Sequence, residues 1–115
     1  MKVVFYEFPV MVNRSQVEVV INFDIHTTTL YDDKNNTPYE AWEGRSVVIR
    51  KYCPSYNEIV SALIADKYSM DAQISILYNR NGDNMHEAEY DEYQSWRAYC
   101  KDVAKQVVTE LGYSI

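Results

Sequence analysis

The sequence predicts an α+β fold: a small antiparallel sheet from the N-terminal half, packed against about three helices from the C-terminal half. Three observations carry this. Residues 16–25 alternate apolar and polar side chains with period two. At Cys53-Pro54 the texture changes to helical spacing introduced by helix-start residues. Only three Gly and three Pro occur in 115 residues, so no linker-like stretch divides the chain, and one domain over residues 1–115 is expected. With 47% hydrophobic residues, a chain of this length can bury a core without a metal or a crosslink.

In the first half, QVEVVINFDI (residues 16–25) places Val17, Val19, Ile21, Phe23 and Ile25 on one side and Glu18, Val20, Asn22 and Asp24 on the other. That pattern describes a strand with one face on a core and the other in water. Residues 2–8 and 45–52 are two further strands, rich in Val, Ile, Phe or Tyr and bounded by Pro9 and Gly44 respectively. Residues 32–38 (DDKNNTP) read as a polar loop, with Pro38 expected to block a ladder, and residues 27–31 either extend the second strand or begin another.

In the second half, Ser55 and Glu58 form a capping-box pattern, and Ile59, Val60, Leu63 and Ile64 follow at helical spacing, predicting a helix over 56–68. Ser69 with Asp71 starts a second, marked by Met70, Ile74, Leu77 and Tyr78 and stopping near Asn79-Arg80-Asn81-Gly82. Asp83 or Asn84 caps a third, over 86–111, that Gly112 closes. Its acidic residues come first and Arg97, Lys101 and Lys105 later, which complements the helix dipole. The expected core sets Val17, Val19, Ile21 and Phe23 of the sheet on Leu63, Ile64, Leu77, Trp96 and Val103 of the helices.

On the third helix Tyr93, Trp96, Cys100, Val103, Val107 and Leu111 follow spacings of 3, 4, 3, 4 and 4, one apolar stripe with Tyr90 and Tyr99 on its flanks. Core packing accounts for such a stripe, because the aromatics share it with plain aliphatics. The alternative is a seam for another subunit, with Tyr90, Tyr93, Trp96 and Tyr99 as the interface. The stripe approximates a heptad for about three turns, and eleven tyrosines suit contact surfaces.

No catalytic signature is present. His86-Glu87-Ala88-Glu89 lacks the second ligand one turn on that a zinc helix needs, and Asn81-Gly82-Asp83 lacks oxygen ligands at the first and twelfth positions of a calcium loop. A pairing of Cys100 with His26 or His86 is disfavoured because Cys100 lies on the apolar stripe, where burial makes a thiol inert. GxxxxGK[ST], GxGxxG and GxSxG are all missing. The expectation is therefore a non-enzymatic protein with no catalytic, cofactor-binding or metal-binding residues.

The net charge is −6, unevenly placed: residues 1–53 carry six Lys and Arg against seven Asp and Glu, residues 54–115 five against ten. An acidic surface repels phosphate backbones and anionic headgroups, which disfavours nucleic-acid and membrane partners. It also permits an acidic contact surface, Glu87, Glu89, Asp91 and Glu92, for a basic partner. The two cysteines sit in no metal-ligand spacing, and whether they pair is open. The N-terminal run is interrupted by Glu7 and Pro9 and makes a poor signal peptide, and no run approaches the length that crosses a bilayer, so a reducing cytoplasm is expected.

Residues 56–105, with YNEIVSALIADKYSMDAQISILYN followed by EYDEYQSWRAYCKDVAK, resemble the C-terminal part of small uncharacterised phage and prophage proteins. The shared features are the Tyr-x-x-Ile-Val-x-Ala-Leu-Ile segment, the Lys-Tyr-Ser turn and a closing helix with Gln94, Trp96 and Arg97. That helix is also loosely similar to the closing helix of phage tail-fibre assembly proteins. The likeness spans under half of the chain. It implies a role in the virion or its assembly within a bacterial host, and it supplies no catalytic residue. Cys100 departs from it, standing where such helices carry a small residue such as Ala. The expected function is thus a phage structural or virion-assembly protein acting through protein–protein contacts, self-association included. The alternative is an acidic inhibitor or adaptor that binds a host nucleic-acid-handling enzyme.

Overall fold

The computed structural model describes residues 1–80 and 82–112. Four strands, β1 (Lys2–Phe5), β2 (Val12–Arg14), β3 (Val19–Tyr31) and β4 (Pro38–Ile49), precede three helices, α1 (Tyr56–Ala65), α2 (Met70–Asn79) and α3 (Asn84–Leu111). The fold is α+β, and the chain divides into two units at Cys53 and Pro54.

In the strand unit the order is β1-β4-β3-β2 and every pairing is antiparallel. Because β1 and β2 are the two outer strands, the six residues between them must cross β4 and β3. The crossing leaves two marks: the Phe8 ring meets Trp42 edge-on at 6.0 Å, and the Val10 carbonyl accepts a 2.8 Å hydrogen bond from Asn22 Nδ2. That bond satisfies Asn22, a polar side chain buried in a strand whose neighbours Ile21 and Phe23 are also buried.

The β3–β4 ladder slips by one residue between Phe23 and His26. Asp24 and Ile25 together oppose Gly44 there, which makes a β-bulge, and Asp24 takes a left-handed φ of 55°. The position of Gly44 follows from the bulge: a Cβ there would stand 2.9 Å from the Phe23 carbonyl oxygen and 2.5 Å from Ile25 Cδ1. Beyond it, cross-strand partners continue from His26 and Glu43, whose side chains meet at 3.0 Å, out to Tyr31 and Pro38.

The helices begin where their caps dictate. Ser55 Oγ accepts the Glu58 N–H while Glu58 Oε1 accepts the Ser55 N–H, a complete capping box. Ser69 Oγ accepts the Ala72 N–H and Asp83 Oδ1 the His86 N–H. Gly112 closes α3 at φ 87°, its N–H shared between the Val108 and Thr109 carbonyls. On α3 the buried residues are Tyr93, Trp96, Cys100, Val103, Ala104, Val107 and Val108.

Several expectations are corrected. Val17 is exposed rather than buried, because it lies in the turn where the Ser15 hydroxyl accepts the Val17 and Glu18 N–H groups, ahead of β3. Pro38 starts β4 instead of blocking it, since the first residue of a strand can lack an N–H. The first strand stops at Phe5, where the crossing begins. The first helix stops at Ala65, because Asp66, Lys67 and Tyr68 turn back on Ala62 and Ile64 to bring Ser69 into its cap. Leu77 is exposed, and Ile76 is the buried residue of α2. Asn81, part of the predicted stop of the second helix, lies outside the described residues.

Candidate functional site

The four aromatic residues of α3 separate into two kinds. Tyr93, 3% exposed, donates its hydroxyl to Gln73 Oε1 at 2.7 Å and stacks edge-on against Tyr68 with ring centres 5.1 Å apart. Trp96, 7% exposed, has the Lys67 ammonium 4.7 Å above its ring and Tyr99 5.5 Å away. Both rings pack against the turn between α1 and α2, which carries Lys67 and Tyr68. Tyr90, half-buried beneath the Arg80 guanidinium, and Tyr99, exposed, are the two with accessible edges.

The acidic residues also divide. All four are exposed, but helical geometry puts Glu87 and Asp91 on one side of α3 and Glu89 and Glu92 on another. Glu87 and Asp91 line an open cleft of about 500 Å³ with Arg80, Asp83, Asn84 and Tyr90. Glu92 and Glu89 instead face Tyr68, whose hydroxyl pKa is raised, first by burial and then by their negative charge. They form two small acidic faces, one of them holding Arg80.

A third surface appears on α2. Met70, Ile74, Leu77 and Tyr78, spaced as one amphipathic stripe, are 68%, 58%, 42% and 88% exposed. α1 and α2 each pack on α3 and scarcely on each other. A groove of about 580 Å³ therefore opens between them, with Val60, Ile64 and Ala65 on one wall, Met70 and Leu77 on the other, and Tyr93 and Arg97 at its base. Arg97, the only charged lining residue among the described residues, is tied to Gln94 Oε1 at 3.0 Å. Such a groove, apolar with a few polar groups at its base, suits an apolar ligand or a partner's side chains.

Sequence periodicity identified the α2 stripe and placed one of its members, Leu77, in the core. The contrary signal was Ile76, the one large aliphatic on the opposite side of the helix. Among the described residues no group of three or more His, Cys, Asp or Glu is placed to hold a metal ion, and no helix is long and apolar enough to cross a membrane. Cys53 and Cys100 are not joined in a disulfide; Cys53 is exposed and Cys100 buried. Compared with known proteins, the chain matches no family model, no curated protein and no solved structure.

Proposed function

We propose that this chain is a non-enzymatic structural or assembly protein of phage type, acting through protein–protein contacts in the bacterial cytoplasm or in the virion assembled there. One observation carries the reading: Met70, Ile74, Leu77 and Tyr78 form an exposed apolar stripe beside the groove between α1 and α2. Contiguous apolar surface of this kind marks interaction sites, because leaving it in water forfeits its burial energy. The resemblance of residues 56–105 to small phage and prophage proteins supplies the setting. The chain itself is among the candidate partners.

The test is the molar mass of the purified chain by light scattering at low and high salt. The expected result is a mass at least twice the 13.5 kDa of one chain, unchanged between about 50 and 300 mM salt, since an apolar interface survives screening. A monomer at both salts overturns the self-assembling form of the reading.

A second reading is an acidic inhibitor or adaptor, favoured by Glu87 and Asp91, which stand exposed around an open cleft one helical turn apart. Its complex with a basic partner would weaken steeply over the same salt range.

A further inference from the structure

The outer half of β3 has a free edge. Residues 27–31 pair with β4 on one side, from Thr27 opposite Trp42 to Tyr31 opposite Pro38. On the other side β2 reaches only Val19 to Ile21, extended by the Asn22 N–H bonded to the Met11 carbonyl. Among the described residues no strand lies beside residues 27–31 on that side.

The direction of the backbone groups follows from the ladder. Residues that exchange hydrogen bonds with their opposite number alternate with residues that point away. The Asp32 N–H donates to the Thr37 carbonyl, so 30 with 39 and 28 with 41 are the bonded pairs. Thr27, Thr29 and Tyr31 then direct their N–H and C=O groups off the open edge. The other end of β3 agrees: Asn22 points to β2, and the extra residue of the bulge turns even-numbered outward positions into odd-numbered ones.

Natural edges are guarded by charge, proline or a covering segment. The β4 side of this ribbon has all three, with Glu40 and Glu43, Pro38, and β1 along residues 42–45. The β3 side has none from Thr27 to Tyr31, and its three threonines and one tyrosine are strong strand formers.

We propose that this edge is a self-pairing surface, on which a second copy of the chain docks antiparallel about a two-fold axis through Thr29. The proposal rests on the protein-contact reading and adds the surface and the partner. A two-fold contact sets residue i of one copy against residue j of the other and j against i, so only the residue on the axis meets its own kind. Here Thr27 meets Tyr31, Thr28 meets Leu30 and Thr29 meets Thr29, with no charge in the set. Thr–Thr and Thr–aromatic cross-strand pairs are favourable, and the three outward residues of each copy supply about six main-chain hydrogen bonds. The wider charge distribution agrees, since residues 1–53 are nearly balanced, six basic against seven acidic, whereas two helical units would repel.

The experiment compares the full chain with Thr29→Pro and Thr29→Lys by light scattering across a concentration series, with amide exchange on the wild type. Proline removes an N–H that the β3–β4 ladder does not use, and lysine sets two like charges across the axis. The expected outcome is a wild-type dimer whose mass halves in both variants, with Thr27, Thr29 and Tyr31 amides protected more strongly as concentration rises. If Thr29→Pro fails to fold, Thr29→Lys and the amide pattern decide. A wild-type monomer at every concentration overturns the proposal together with the self-assembling reading. An oligomer that persists in both folded variants, with those amides exchanging freely, overturns the edge proposal alone and returns the contact to α2.

Discussion

Tyr93 and Gln73 are joined by a 2.7 Å hydrogen bond in which the phenol donates to the amide oxygen, while the amide nitrogen donates to the Tyr68 carbonyl at 3.0 Å. Gln73 thus ties α3 to the turn between α1 and α2, at the base of the groove. Tyr93→Phe should keep the ring contact with Tyr68 and lose the bond, destabilising the chain by about 1 kcal/mol. Tyr93→Ala, which also empties the ring's place, should cost about 3–5 kcal/mol. Urea denaturation of the two variants checks both the values and their order.

The phase of α2 makes a second prediction. Ile76 is buried and Ile74 is 58% exposed, although they are two residues apart and chemically identical. Ile76→Ala should cost about 2–4 kcal/mol, and Ile74→Ala should stay within about 0.5 kcal/mol. Paired thermal melts would show the contrast. Equal losses at both positions would mean that the stripe of Met70, Ile74, Leu77 and Tyr78 is not a free surface.

Gly44 is the third test. Its Cβ position is closed by the Phe23 carbonyl, a backbone atom that can move only by disturbing the bulge, and by Ile25 Cδ1, a side-chain end that can swing away. Gly44→Ala should therefore lower stability by about 1–3 kcal/mol, the usual cost of overpacking a tight site. Gly112→Ala, where nothing lies near the added methyl but φ is 87°, should lower it through backbone strain alone. Melting curves of the two variants separate the mechanisms, because adding Ile25→Ala should recover part of the Gly44→Ala loss and none of the other.

The fold class was legible because its signals are local. Period two along β3, Ser55 with Glu58, and Gly112 after an apolar stripe each act within one turn or one strand. The failures occurred where a distant residue decides. Pro38 looks like a ladder breaker until Tyr31 takes a pairing position that needs no N–H from it. The stripe on α2 has the same spacing as the buried one on α3, and periodicity cannot say which stripe faces inward. For the candidate site, the α3 aromatics were visible in sequence as a group, but the division between Tyr93 and Trp96 inside and Tyr90 and Tyr99 at the edges depends on Lys67, Tyr68 and Gln73. The free edge of residues 27–31 was invisible because it depends on how far β2 extends.

Asp83 supplies a pH test for the start of α3. Its carboxylate accepts the His86 N–H at 2.9 Å, and that backbone bond holds its pKa below the ordinary 3.8, with the nearby His86 ring adding to the effect. A carboxylate whose folded pKa is depressed stabilises the fold fully above its unfolded pKa, and loses that contribution as pH falls through the lower folded value. The wild-type chain should therefore lose stability in part through this group as pH falls below the ordinary carboxylate value and on through the lower folded one. Asp83→Asn keeps an oxygen that can cap the helix and does not titrate in that range, so its stability should depend less on pH there. Denaturation midpoints of the two chains at a series of pH values should converge toward the acid end; a constant gap would show that the cap acts through geometry without its charge.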